Sequence, residues 1–232
     1  MKLSIVIPVF NNWNFTRSCL SDLIELPCDT HEIIVVDNGS TDNTREGLST
    51  VFEKGRITYL DLGTNTGFAH ACNHGFSQSS GDYVMFLNND IRVKSDKKNW
   101  TSRVLEKADE ALVGPTGGLL DSSFNFIKET NRFIDSPYFY MSGWNLTSSR
   151  EIWNKLIISE YAGPFSEEFG IAYFEDTDLG FRAHEQGIPL EIVDVPVVHF
   201  GKVTSKKLNT LSLYLPAKEK FIAKWKARQN KS

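Results

Sequence analysis

Glu32-Ile33-Ile34-Val35-Val36-Asp37-Asn38-Gly39-Ser40-Thr41-Asp42 is the stretch that decides the fold. Its four consecutive branched aliphatics show no alternation and fit a strand covered on both faces, as in a parallel sheet. The small polar residues that follow form a turn cluster leading from strand to helix. Toward the N-terminus, residues 3–9 (Leu-Ser-Ile-Val-Ile-Pro-Val) read as a second buried strand. Between the two, residues 12–26 place Phe15, Cys19, Leu20, Leu23 and Ile24 at helical spacing. Toward the C-terminus a helix runs to about residue 52, a strand covers 57–60, and the loop 63–67 opens a helix over 68–79. Tyr83-Val84-Met85-Phe86-Leu87 is a further strand and runs straight into Asn88-Asn89-Asp90. This alternation predicts a mostly parallel, doubly wound α/β sheet. Right-handed crossovers gather the loops after each strand along one edge, where such sheets bind ligands.

The rest of the chain is less regular. A helix is expected over 96–107, a strand over 112–116, an irregular hairpin over 123–135 and a partly helical stretch over 144–156. A helix over 177–186 ends at Gly187, a residue suited to a helix C-terminus. Short strands follow at 190–193 and 196–199, then a Lys/Arg-rich helix to about 228 with Pro216 in its first turn.

Composition bounds the function. The 232 residues suit one large domain, and 41% hydrophobic with 23% charged residues is ordinary for a globular chain. A net charge of −4 and a pI near 5.8 argue against nucleic acid as a partner. Three cysteines, Cys19, Cys28 and Cys72, are an odd and widely spaced set, neither a disulfide framework nor a zinc site. The apolar run from residue 3 to 10 is interrupted by Pro8 and is too short for a signal core or a membrane span. The expected location is cytoplasmic, at most peripheral at the inner face of a membrane.

Four clusters carry chemistry, and each has a plainer structural reading. Asp37 at the end of a strand is able to accept from a base or a sugar hydroxyl, while the residues after it also make a turn with a helix cap. Asp90, with Asn88 nearby, offers hard oxygen ligands for Mg2+ or Mn2+, or simply a turn between strands. Glu175-Asp176-Thr177-Asp178 opens a helix, where carboxylates complement the macrodipole and also stay ionised as a general base must. His199 is a reasonable metal ligand beside a carboxylate, or a satisfied lone histidine.

Taken in order, these pieces resemble glycosyltransferase family 2, particularly its rhamnosyltransferase-like and galactofuranosyltransferase-like branch. The resemblance runs over about residues 3 to 205. It rests on Ser4-Ile-Val-Ile-Pro-Val-Phe-Asn11, Val36-Asp-Asn-Gly-Ser-Thr-Asp42, Asn65-Thr-Gly-Phe-Ala-His-Ala-Cys-Asn-His-Gly75 and Leu87-Asn-Asn-Asp90. Phe174-Glu-Asp-Thr-Asp-Leu179 and Val198-His-Phe-Gly201 complete it. It implies a GT-A (Rossmann-like) fold, a nucleotide-sugar donor (UDP-linked by family weight), a divalent Mn2+ or Mg2+ ion and an inverting transfer to a saccharide or glycoconjugate acceptor. Pro8, Phe10 and Asp37 would line the nucleoside pocket, with Asp37 recognising the base. Asn65, Gly67, Phe68 and Asn73 would shape the diphosphate and sugar region, with Asn88 and Asn89 also on the donor. Asp90 and His199 would hold the metal, and Asp176, with Glu175 beside it, would be the general base. The sequence departs from the usual Asp-x-Asp motif at Asn88, and has Ala71-Cys72 where a glycine is more usual.

The implied division is a GT-A domain over 1–208, with a nucleotide-sugar half (1–90) and an acceptor half (91–208), and a basic helical tail over 209–232. In the tail, 218–228 puts Phe221, Ile222 and Trp225 near one face among lysines. This fits either packing on the domain or peripheral contact with an anionic membrane. Two rivals share the sheet: a non-catalytic nucleotide-sugar binder and a sugar nucleotidyltransferase. Retention of Asp90, Asp176 and His199 argues against the first. The second would need a Gly-rich, basic loop after the first strand, where this chain has Val9-Phe-Asn-Asn-Trp-Asn14.

Overall fold

A computed structural model describes residues 1–201 and 210–229 of the chain. At its centre lies β1 (Leu3–Val9), buried at every position. It pairs in parallel with β2 (His31–Asp37) on one side and β4 (Tyr83–Leu87) on the other. Beyond β2 lies β3 (Thr58–Asp61), also parallel. Beyond β4 comes β10 (Asn145–Ser149), antiparallel, then β6 (Leu112–Gly114) and β11 (Leu190–Ile192), completing a seven-stranded sheet. The expected mostly parallel α/β sheet is therefore present, with one antiparallel strand inside it.

The alternation of β1 distributes the core. Ile5 and Ile7 face a cluster containing Cys19, Leu20 and Leu23 of α1 (Trp13–Leu23) and Val104 of α4 (Ser102–Ala108). Val6 faces the opposite layer, with Ala71 and Phe76 of α3 (Phe68–Ser77), Trp153 of α5 (Arg150–Lys155) and Leu179 of α6 (Glu175–Glu185). The helix α2 (Thr44–Glu53) follows β2 and buries Leu48. Both helix layers thus bury apolar stripes on a sheet that has no polar face, the arrangement expected of doubly wound strands.

Two small sheets stand at the cavity side. β5 (Ile91–Val93) pairs with β12 (Val197–His199), and β7 (Gly117–Leu120) lies between β8 (Phe126–Thr130) and β9 (Phe139–Met141). The final helix, α7 (Thr210–Gln229), buries Ala217, Phe221 and Trp225 against Leu120, Phe124, Phe169, Phe174 and Phe181. The apolar face that the sequence left open to a membrane is therefore occupied by packing on the domain. The boundary expected between 208 and 209 lies outside the described residues. Among the described residues no helix is long and apolar enough to cross a membrane.

Several sequence expectations need correction. The stretch 144–156 is strand β10 followed by the short helix α5. Asn-Leu-Thr-Ser-Ser lacks the aliphatic run of its neighbours, yet all five positions are buried. Ser148 satisfies its hydroxyl by donating to the Ala111 carbonyl at 2.7 Å, and the Ser149 hydroxyl accepts from Ile152 N as the α5 cap. Pro216 lies inside α7 instead of in its first turn, because the helix already includes residues 210–215. The helix expected over 96–107 is reduced to α4, since Asp96 takes a positive φ of 52° and the chain turns before it. The hairpin over 123–135 finds its partner upstream, in β7.

The contact between α3 and the sheet has no slack. A Cβ at Gly75 would stand 2.3 Å from Val6 Cγ1 and 3.0 Å from Val36 Cγ2. Glycine to alanine in a helix ordinarily gains about 1 kcal/mol of propensity. Overpacking a filled core costs about 1–3 kcal/mol. Gly75→Ala is accordingly expected to lower the urea midpoint; a higher midpoint would show that α3 is free to move off the sheet.

Candidate active site

The parallel strands β1, β2 and β4 end side by side, and the chain leaves each through a polar turn. Across these ends lies a cavity of about 530 Å3. Pro8, Phe10, Asn65 and Phe68 line one end, Asn88, Asn89, Asp90 and His199 a second, and Glu175 and Asp176 a third. Ten of the expected site residues thus share one space. Asp37, Gly67 and Asn73 stand behind its wall.

Their contacts account for that placement. Asp37 is fully buried; Oδ1 accepts from Ser40 N–H at 2.8 Å and Oδ2 from the Tyr59 hydroxyl at 3.3 Å, which braces the turn after β2. Gly67 opens α3 at a φ of 99°, and a Cβ there would stand 2.6 Å from the Gly170 carbonyl oxygen. Asn73 donates Nδ2 to the Phe165 carbonyl (2.9 Å) and Glu167 Oε1 (2.8 Å), and accepts from Phe165 N–H (3.0 Å). It pins the segment leading toward α6.

Asn38 is a lining residue that the sequence reading passed over as part of a turn. Its Nδ2 donates to Asn65 Oδ1 and to the Gly67 carbonyl, each at 3.0 Å. Its Oδ1 accepts from Thr66 N–H (2.8 Å) and from the Thr66 hydroxyl (2.9 Å). One buried amide therefore fixes the loop 65–67 against the end of β2, consistent with the cost of leaving such groups unpaired.

At the second end, Asp90 closes the turn Asn88-Asn89-Asp90 between β4 and β5. Its Oδ1 lies 3.1 Å from His199 Nε2, yet is buried and takes no hydrogen bond of proper geometry. The His199 ring stacks on Trp144 at 4.8 Å between centroids, 12° from parallel, and Asn88 Nδ2 approaches Nε2 at 3.4 Å. A buried carboxylate oxygen without a hydrogen bond, beside an oriented imidazole, fits a divalent cation. Among the described residues no cluster of three His, Cys, Asp or Glu is placed to hold a metal. Such an ion would complete its shell from ligand oxygens and water, the usual habit of Mg2+.

The third end depends on strain. Tyr173 and Phe174 take φ values of 80° and 69°, consecutive bulky residues in the left-handed region just before α6. Each such conformation costs on the order of 1–3 kcal/mol and persists only where packing over-determines it. Here Phe174 stacks on Phe221 at 5.0 Å, and Tyr173 meets Tyr214 edge-on at 5.6 Å. The turn delivers Glu175 and Asp176 to the cavity. Asp176 Oδ2 accepts from Gly143 N–H at 2.9 Å, and Oδ1 from Thr177 N–H at 2.7 Å and its hydroxyl at 3.2 Å.

Burial raises the pKa of both carboxyls. Glu175 is pushed up to about 8 by burial and then by the charge of Asp176. Asp176 is pulled back by its hydrogen bonds, which favour the carboxylate. Burial and the neighbouring charge thus favour a protonated Glu175, while the hydrogen bonds from Gly143 and Thr177 favour the Asp176 carboxylate. Asp178 faces away and is fully buried, bound by Arg182 Nε (2.8 Å), Lys224 Nζ (2.7 Å) and Trp225 Nε1 (3.0 Å). It ties α6 to α7.

The remaining wall lies outside the motifs; the sequence expectation that acceptor choice rests on 116–139 and the loops around 161–173 takes in Leu120 and Phe126 but not Tyr140, Trp144 or Tyr214. Tyr140, Trp144, Leu120, Phe126 and Tyr214 come from β7 to β9, the turn before β10, and α7. The legible trace is glycine: a Cβ at Gly118 would stand 2.3 Å from Tyr140 Cζ, and one at Gly180 would stand 2.6 Å from Tyr140 Cβ. Gly-Gly in a strand often marks such a close approach.

A mostly parallel sheet with a carboxylate-bearing cavity across the ends of its strands defines an α/β domain with the GT-A glycosyltransferase fold. The crystal structure of GalNAc-T7 with UDP, GalNAc and Mn2+ matches it with a TM-score of 0.68, over 85% of this chain and 43% of that one, at 18% identity. The chain belongs to glycosyl transferase family 2, whose family model matches residues 4–164. It is 34% identical over 94 residues to a poly-beta-1,6-N-acetyl-D-glucosamine synthase of Staphylococcus aureus (strain MSSA476), covering 40% of this chain and 23% of that relative. It is 27% identical over 143 residues to glycosyltransferase GlyG of Streptococcus pneumoniae serotype 4, covering 61% of this chain and 44% of that relative. The chain thus spans less than half the length of these curated relatives.

The raised Glu175 pKa has a consequence for stability. Folded Glu175 keeps its proton up to about 8, whereas an unfolded glutamate releases it near 4.5. The folded state therefore binds more protons in that window, and Glu175 makes stability fall as pH rises through it. Glu175→Gln is expected to flatten this dependence. Urea midpoints from pH 5 to 8 that decline as steeply in the variant would contradict it.

Proposed function

We propose that this chain transfers a sugar, with inversion, from a nucleotide diphosphate sugar to a hydroxyl of a saccharide or glycoconjugate acceptor, aided by Mn2+ or Mg2+. The observation that carries the reading is the sharing of one cavity by two charged centres: Asp176, oriented by Gly143 N–H, and the Asp90–His199 pair. The first suits a proton acceptor and the second suits a cation beside a diphosphate.

In this reading Asp176 takes the proton of the acceptor hydroxyl as that oxygen bonds to the anomeric carbon. The bond from that carbon to the diphosphate oxygen breaks, and the diphosphate departs with the electron pair. Attack opposite the leaving group inverts the anomeric centre and leaves no enzyme-bound sugar. Asp90 and His199 would hold the cation, whose chemistry there is to neutralise charge on the diphosphate. Asn38 keeps the 65–67 loop in shape for the donor, and Phe10 and Phe68 offer apolar surface to it. Uridine is the nucleotide favoured, in keeping with the UDP and Mn2+ present in the GalNAc-T7 structure. A growing saccharide is the acceptor favoured, in keeping with the name of the staphylococcal relative.

Thermal-shift titration with UDP, dTDP and GDP and their sugar conjugates, each with Mn2+ or with EDTA, tests the donor side. A ligand at ~100 times its Kd adds about 2.7 kcal/mol of stability. UDP with Mn2+ should raise the melting temperature, EDTA should abolish most of the rise, and Asp90→Ala should do the same. Silence with every nucleotide would defeat the proposal. On the chemical side, Asp176→Asn should lower kcat by about a hundred- to ten-thousand-fold, the range for a lost general base. Its donor-induced melting shift should be retained, and wild-type turnover in this variant would remove Asp176 from its role.

A further inference from the structure

We propose that the outer end of the cavity is an aromatic subsite for an uncharged sugar ring of the acceptor, with Tyr214 of α7 as its specificity-determining side chain. The inference rests on the transfer reading for the word acceptor, but the sugar-binding surface itself is argued independently of it.

Besides Asp176, the cavity is lined by Leu120, Phe126, Tyr140, Tyr173, Phe174 and Tyr214. Among the described lining residues there is no Lys or Arg, and the carboxylates are Asp90, Glu175 and Asp176. Against these described residues an anionic sugar would lose hydration without gaining a counter-charge from them and would meet carboxylates instead. A neutral pyranose fits better, because its C–H face lies flat on an aromatic ring while its hydroxyls reach polar tips. Tyrosine supplies both kinds of contact. Burial, and then the charge of Asp176, push the Tyr140 hydroxyl up, so that it remains a hydrogen-bond donor beside the base.

The wall is also built to hold its rings still. Tyr140 lies in the slot between Gly118 and Gly180, with no room for a Cβ at either position. Tyr214 contacts Tyr173 at 5.6 Å and Phe174 at 5.4 Å, so α7 reaches the site through the strained turn that carries the base. Phe126, 55% exposed, lines the same cavity at its rim. An aromatic side chain so exposed in a cavity that Tyr140, Tyr173 and Tyr214 also line is a surface that a ring would cover.

Saturation-transfer NMR on the full chain with UDP and Mn2+ tests the idea. The probes are methyl β-glucopyranoside and methyl β-N-acetylglucosaminide, set against glucuronate and glucose 6-phosphate. The neutral glycosides should receive saturation at their ring C–H protons, and the anionic sugars should not. Tyr214→Ala should weaken neutral-glycoside binding about tenfold, the upper range for one aromatic contact, while Tyr214→Phe keeps most of it. Melting curves should show both variants folded; if Tyr214→Ala is not, the Phe variant together with Tyr173→Ala carries the comparison. Equal or tighter binding of the anionic sugars, indifference to Tyr214, or no glycoside binding at all would overturn the proposal. Glycosides that bind through Tyr214 while UDP does not bind would keep the subsite and overturn the transfer reading instead.

Discussion

The parallel register of β1 with its two neighbours is the constraint on which the rest depends. Val9 pairs with Asp37, and the β1–β4 ladder runs Leu3 with Tyr83 through Val6 with Phe86. Because the three strands point the same way, their carboxyl ends reach the same edge, and the polar turns after them face one space. Slipping β2 by one residue would turn Ile34 and Val36 out of one core and Ile33 and Val35 out of the other. It would also carry Asp37 and Asn38 away from the loop they brace. Packing of both faces therefore sets the cavity's geometry before any polar contact is counted.

Polar contacts then refine what packing has placed, and they do so in layers. Asp37 and Asn38 spend their hydrogen bonds on the turn after β2, on Tyr59 and on the loop 65–67, giving that end of the cavity a fixed outline. Asp178 is fully buried but fully engaged, by Arg182, Lys224 and Trp225. Removing one partner from such a cluster costs more than the contact itself is worth, since a charge is left buried without an answer. By contrast Asp90 and the Glu175–Asp176 pair carry incomplete or shifted interactions. Perturbed groups of this kind gather where chemistry is done.

The N-terminal half was legible because its signals are redundant. Ile33 to Val36 read as a covered strand bounded by turn residues, and Asn88 to Asp90 as the polar turn after another. Of the ten cavity residues named in advance, seven lie in that half, while Glu175, Asp176 and His199 lie beyond it, and the family resemblance supplied the roles expected of them. What escaped was set by tertiary partners. β10 is a polar strand whose hydroxyls are satisfied by distant carbonyls, a fact that no local pattern contains. Tyr140 and Tyr214 belong to segments with no motif, brought to the cavity by a three-stranded sheet and by a helix read as a separate tail. The burial of Asp37 behind the wall was equally invisible, because it depends on Tyr59, more than twenty residues away.

The strip of wall formed by Tyr140, Phe126 and Tyr214 has one more implication. None of these residues belongs to the seven-stranded sheet, and none is a hydrogen-bond partner in the Asn38 network or a member of the Asp90–His199 pair. Natural variation is therefore free to rewrite this surface without unsettling the part of the molecule that carries Asn38 and Asp90. Lineages built on such a plan would diversify in what they modify more quickly than in what they use to modify it.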